Sequence, residues 1–264
     1  MVGQKKLLNS LQQLIRNNKF PRTLLLVGED GCGKNTLSQE LASIMDLPIK
    51  DITELLSSEL IDEIYLKPTP EIYIIKADDI TIKEQNMILK FIEEPLKNAY
   101  IFLLSTSTRK LLPTIINRCQ PYYFEAYSEK ELKSFLTDNI DQRVLELCTT
   151  PGMILQAQQQ SSSEMYNLAE SIFLNIHKAS YSNALTLVNK FKYKKDEKED
   201  KFDFDFFLKI LIPVSVKYYE NKYITFQEYT LVKELFSKCL IAHINKKYLF
   251  EQFIINLKRG KDVC

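Results

Sequence analysis

The sequence lacks any C-x-x-C pair, and its five cysteines, Cys32, Cys119, Cys148, Cys239 and Cys264, are scattered along 264 residues. That spacing suggests neither a zinc ribbon nor a disulfide framework, and it fits a reducing compartment. Long apolar runs are missing as well, since no stretch reaches the roughly 18 apolar residues of a membrane span. The N-terminal segment MVGQKKLLNSLQQLIRNN is amphipathic and interrupted by polar residues, without the apolar core of a secretory signal. Excess charge is also missing. A net charge of +1 argues against nucleic-acid binding through the overall field and leaves only local patches for it. These absences lead us to expect a soluble, cytoplasmic chain with no membrane partner. No internal repeat is visible, and 45% hydrophobic residues are enough for two or three modest domains to bury cores.

Glycine is scarce too, and its placement is informative. Three of the six glycines, Gly28, Gly31 and Gly33, lie in GEDGCGKNT at residues 28–36. The pattern G-x-x-x-x-G-K-[ST] works because glycines let successive N–H groups turn towards a phosphate, a lysine adds a point charge, and a hydroxyl ligates Mg²⁺. Here Lys34 is in place, but the hydroxyl position holds Asn35, and Thr36 sits one residue too far along to replace it directly. The residues to test as a degenerate nucleotide loop are therefore Gly28, Gly31, Gly33, Lys34, Asn35 and Thr36. A tight turn that needs glycine only for backbone reasons is the plainer reading. The context favours the loop, because Thr23–Val27 (TLLLV) reads as a buried strand before it and Thr36–Met45 as a helix after it.

Apolar runs alternate with helical patterns through the first half, which implies a largely parallel sheet with crossover helices. Leu7, Leu8, Leu11, Leu14 and Ile15 share one helical face. Further strands are expected at Ile72–Ile75, Tyr100–Leu104 and Tyr122–Phe124. Three capping boxes mark helix starts, at Thr81–Glu84, Ser128–Glu131 and Thr225–Glu228. After Phe124 the strand signal fades, so the chain passes from α/β to all-α near residue 126. The mixed-sign stretch Lys192–Lys201 reads as an exposed connection between helices, Phe206–Tyr219 as a helix, and Lys247–Leu257 as a last amphipathic one. The Phe and Tyr residues of this last third recur at helical spacing, which favours core packing.

A working ATPase also needs an acidic pair at the end of a neighbouring strand. The strand Ile72–Ile75 is followed by Lys76-Ala77-Asp78-Asp79. If Ala77-Asp78 occupies the positions just past that pair, the pair itself is replaced by Ile75 and Lys76. Asp78 or Asp79 could substitute only through a register shift. Arg118, in Pro113-Thr-Ile-Ile-Asn-Arg-Cys119, reads either as a surface arginine covering a helix end or as a finger offered to a nucleotide on a neighbouring subunit. Spacing alone leaves both open. Glu93-Glu94 is a carboxylate pair whose members diverge by about 100° on a helix, and His177 and His243 lack companions, so these are expected to be structural or surface groups.

The order GEDGCGKNT, IYIIKADD, Asn86-Met-Ile-Leu-Lys-Phe-Ile-Glu-Glu-Pro95, LLSTST and Leu112–Cys119 resembles the AAA+ subunits of bacterial clamp loaders, and within them the delta-prime family. The likeness covers roughly the first 125 residues with specific motifs. It implies an α/β AAA+ domain with a parallel sheet at residues 1–126, a small helical lid at 127–178 with Gly152 near a second sensor motif, and a helical collar bundle at 179–264. Asn117-Arg118-Cys119 corresponds to the family's Ser-Arg-Cys, whose arginine acts in trans, so Arg118 is the implied catalytic finger. Residues 46–70 hold no cysteine, so no zinc module or other metal is expected. The resemblance further implies a subunit that needs no cofactor of its own, whose loop retains the means to cradle ATP or ADP phosphates. It would work beside motor and delta subunits in a five-membered ring and meet primer-template DNA and the sliding clamp through that complex. Two other readings are an active AAA+ ATPase and a stand-alone nucleotide sensor.

Overall fold

The computed structural model describes residues 3–93, 98–137, 140–193, 201–240 and 244–260. Glu94, Pro95, His243, Cys264 and residues 194–200 of the charged stretch lie outside the described residues. Contacts divide the chain into two units, Met1–Ser134 with Thr149–Gly152, and Phe135–Cys148 with Met153–Cys264.

The first unit contains α1 (Lys5–Arg16), β1 (Thr23–Val27), α2 (Lys34–Met45), β2 (Ile49–Asp51), α3 (Ser58–Leu66), β3 (Glu71–Lys76), α4 (Ile82–Glu93), β4 (Ala99–Ser105), α5 (Pro113–Ile116), β5 (Pro121–Tyr123) and α6 (Glu129–Lys133). Its five strands form one sheet in the order β2-β3-β4-β1-β5, and every pairing is parallel. Both faces of the sheet are covered, which is why its central strands read as unbroken apolar runs. Leu24 and Leu26 join Leu8, Leu11, Leu37, Leu41, Ile72, Ile74 and Phe102 on one face. Leu25 and Val27 join Tyr73, Ile75, Ile88, Leu103, Ile115 and Cys119 on the other.

Four of these strands follow the sequence expectation, and β2 is an addition. It is short, partly exposed and polar, with Lys50 and Asp51 at the edge of the sheet, so no apolar run announces it. All three capping boxes form, with reciprocal hydrogen bonds at Thr81/Glu84, Ser128/Glu131 and Thr225/Glu228.

The second unit contains α7 (Gln142–Leu145), the remainder of α8 (Pro151–Gln159), α9 (Ser162–Asn175), α10 (Tyr181–Thr186), β6 (Phe191–Lys192), β7 (Phe202–Asp203), α11 (Phe204–Glu220), α12 (Phe226–Cys239) and α13 (Lys246–Arg259). The regions anticipated as lid, 127–178, and collar, 179–264, fall for the most part in this unit, which the contacts do not divide further. The expected run of helices is interrupted once. The ends of the charged stretch pair as β6 and β7, with Phe191 opposite Phe202. Phe191 also packs on Phe204, Phe207 and Phe250, at ring separations of 4.5–5.7 Å. Core packing of the aromatics therefore holds for this cluster but not for all: Tyr223 and Phe226 are exposed, and Tyr219 stacks on Tyr229 at the surface. His177 is half-buried, its Nε2 2.8 Å from Oε1 of Glu228, the same carboxylate that closes the capping box of α12. Among the described residues no helix is long and apolar enough to cross a membrane.

Candidate nucleotide loop and arginine site

β1 runs into the glycine loop and α2 leaves it. Gly31 and Gly33 have φ of +78° and +99°, a region that L side chains avoid. Lys34 folds back over the loop, its Nζ donating to the carbonyl oxygens of Gly28 at 2.6 Å and Glu29 at 2.9 Å. Gly28 N donates to Ser105 O at 3.1 Å, which ties the loop to the end of β4. Asn35 and Thr36 both lie exposed on the first turn of α2. Strand, glycine turn and helix thus follow one another as the loop reading expects, with an amide at position 35 in place of a hydroxyl.

The loop is also covered by a segment that sequence reasoning did not connect with it. Thr149 Oγ1 donates to Glu29 Oε2 at 2.8 Å, Thr150 Oγ1 to Asp30 O at 3.0 Å, and Gly152 N to Gly31 O at 2.9 Å. The two glycines approach so closely that a Cβ on Gly152 would lie 2.5 Å from the Cα of Gly31. Thr150-Pro151-Gly152 reads as chain punctuation in sequence, and no periodic signal points to this contact.

At the end of β3, Ile75 is fully buried in the core. Lys76 pairs with Asp51 of β2, Nζ to Oδ2 2.8 Å, and its backbone N–H donates to Thr53 Oγ1. Burial tends to raise the Asp51 pKa, but hydrogen bonds from Lys76 and Thr53 bring it below the ordinary value. Asp78 is engaged elsewhere. Its two oxygens accept from Ser105 Oγ at 2.7 Å and Thr106 N at 2.9 Å, and Lys110 Nζ lies 3.4 Å away. Burial pushes the Asp78 pKa up, and these hydrogen bonds together with Lys110 outweigh it and leave the value depressed. Asp79 is exposed. On the register in which Ala77-Asp78 follow the acidic positions, these residues do not fit a magnesium-bound nucleotide: those positions carry a core isoleucine and an ion-paired lysine, and the half-buried carboxylate of Asp78 is spent on the end of β4.

Arg118 follows α5, whose start is fixed by a residue that the sequence did not single out. Gln85 of α4 is buried and uses both ends of its amide, accepting from Leu112 N at 2.9 Å and donating to Lys110 O at 3.1 Å. Ile88 and Ile115 pack in the same core cluster. Beyond them, Arg118 Nη1 donates to Thr114 O at 3.1 Å and Nη2 lies 2.9 Å from Glu93 Oε1. The Arg118 side chain remains 42% exposed, so it is held in place yet open to an outside acceptor. Glu93 is thus an ion-pair partner, and the pairing could not be read from spacing.

The chain is similar to known proteins of one replication complex. Residues 47–128 match the family model described as DNA polymerase III, delta subunit. A solved gamma subunit-related protein of DNA polymerase III from Thermotoga maritima superposes over 96% of this chain and 99% of its own with a TM-score of 0.50 and 18% identity, a likeness of fold. The shared fold is a parallel five-stranded sheet with helices, followed by a helical region. In sequence the chain is delta-prime-like: it is 32% identical to DNA polymerase III subunit delta' of Bacillus subtilis over 111 residues, 42% of this chain and 30% of that protein. It is 24% identical to subunit tau of the same organism over 181 residues, 56% of this chain and 32% of tau. The matches thus span about a third of the length of these relatives.

Proposed function

We propose that this chain is a delta-prime-type subunit of a DNA polymerase III clamp loader that does not hydrolyse ATP at its own loop and supplies Arg118 to the nucleotide of an adjacent subunit. The observation that carries the reading is the end of β3, where Ile75 is core and Lys76 is ion-paired with Asp51, so the two positions that the expected register assigns to the acids orienting metal and attacking water hold no carboxylate. The exposed guanidinium of Arg118 supplies the complementary part, a fork of donors suited to phosphate charge developing in a transition state. In this reading the glycine loop is inherited architecture, covered by Thr149–Gly152, and the α/β unit serves as a stiff arm in a five-membered ring that meets primer-template DNA and the clamp. Heterologous contacts of this kind close a ring when their rotation permits it.

The similarity to tau over a longer stretch keeps an active ATPase in view. One experiment separates the two. The purified chain is expected to show no ATP turnover that is lost in Lys34→Ala, whereas an active enzyme would turn over and lose that activity in the variant. In a reconstituted loader, Arg118→Ala is expected to leave assembly intact and to lower DNA- and clamp-stimulated ATPase by about 10³-fold or more at the site it serves, the range known for arginine fingers.

A further inference from the structure

Glu93 is the last residue of α4, and Arg118 lies two residues beyond α5, the short helix packed beside it. Gln85 ties the first turn of α4 to Lys110 and Leu112, and Ile88 and Ile115 share the core between the helices. This contact fixes the backbone on both sides, so the meeting of Glu93 Oε1 and Arg118 Nη2 at 2.9 Å follows from the packing of α4 on α5. The pair is built to be weak. Glu93 is 49% and Arg118 42% exposed, and ion pairs so exposed are worth about 0–1 kcal/mol. Glu93 also sits at the C-terminal end of α4, where the helix dipole disfavours a carboxylate. Arg118, by contrast, is favourably placed near the end of α5, with one N–H on Thr114 O.

From this geometry we infer that Glu93 is a positioning residue for Arg118, an internal stand-in for phosphate that holds the guanidinium in a standby orientation and yields it to a phosphate of higher charge on a neighbouring subunit. The inference rests on the trans role of Arg118 proposed above. In the resting arrangement Nη1 donates to Thr114 O and the contact to Glu93 is an ion pair, so transfer requires breaking only the contact to Glu93. A nucleotide phosphate carries more charge than a carboxylate and offers more acceptor oxygens, so it outcompetes Glu93 once the subunits are aligned and not before. Glu93 thereby lowers ATP turnover in a loader whose subunits are not yet in register.

The test uses the complete reconstituted loader, with ATPase measured in the absence and presence of clamp and primed DNA. Glu93→Gln keeps the size of the side chain and removes its charge. It is expected to raise the unstimulated kcat about two- to fivefold, the factor that a surface pair of this strength represents, with KM for ATP unchanged. The rise is expected to disappear in the double variant with Arg118→Ala, and Glu93→Asp is expected to behave nearly as wild type. An unchanged rate in Glu93→Gln, while Arg118→Ala lowers turnover, overturns the role of Glu93 and leaves the finger standing. An unchanged rate in Arg118→Ala removes the finger and the inference with it. A lower rate in Glu93→Gln, with assembly and melting temperature unaltered, shows that the carboxylate assists and does not restrain, which also overturns the inference.

Discussion

The backbone amide of Gly152 donates to the carbonyl oxygen of Gly31 at 2.9 Å, and neither residue leaves room for a side chain on the other. A methyl group on Gly152 would lie 2.5 Å from the Cα of Gly31, which is backbone and cannot rotate away. Gly152→Ala is therefore expected to separate the segment 149–152 from the glycine loop at a cost of about 1–3 kcal/mol, the usual range for overpacking. Hydrogen exchange followed by mass spectrometry checks this, with faster exchange expected at residues 28–34 and little change in β3 and β4.

Lys258 of α13 is buried and donates its Nζ to the carbonyl oxygens of Ile176, at 3.1 Å, and Ala179, just past the end of α9. It also lies over the ring of Tyr181 at 4.8 Å. Lys258→Met retains much of the stem and strands one buried and one half-buried acceptor, so a loss of about 1–3 kcal/mol is expected. Urea denaturation, with an unchanged slope and a lower midpoint, is the measurement.

Acid should find Asp78. The group is held below the ordinary carboxylate value, so the stability it contributes is fully present above the unfolded pKa, near 4, and is lost as pH falls through the lower folded value. Asp78→Asn is expected to lower the melting temperature at pH 7, where the hydrogen bonds to a charged acceptor are worth about 1.5–3 kcal/mol. Melting curves of both proteins between pH 7 and pH 3 should converge at the acid end.

The four described cysteines are expected to be inert in the folded protein. Burial pushes the thiols of Cys119, Cys148 and Cys239 up to about 11 and that of Cys32 upward despite the nearby Lys34. Brief alkylation at pH 7.5, read by peptide mass spectrometry, should leave all four unmodified until denaturant is added.

Local rules carried the sequence reading far. The capping boxes at Thr81, Ser128 and Thr225 all form, because a hydroxyl and a glutamate three residues apart satisfy helix-end donors without help from elsewhere. The buried strands were legible because both sheet faces are covered and leave no polar alternation to confuse them. Legibility ended where partners are distant in sequence. Asp51 meets Lys76, Glu93 meets Arg118 and Gly31 meets Gly152 only after the sheet has formed, and none of these residues has an unusual neighbour in the chain. The missed strand β2 is half solvent-facing and three residues long, and β6 and β7 have two residues each, too few to establish a period.

Lys258 also bears on the order in which the chain is completed. All strands of the main sheet have been made once Tyr123 is added, and Gly152 follows soon after, so the α/β unit can close early in synthesis. The carbonyl of Ile176 must wait a further 82 residues for its ammonium partner. Until then the exit end of α9 stands open to water, and a nascent chain arrested before residue 258 would carry a finished head and an unsealed tail.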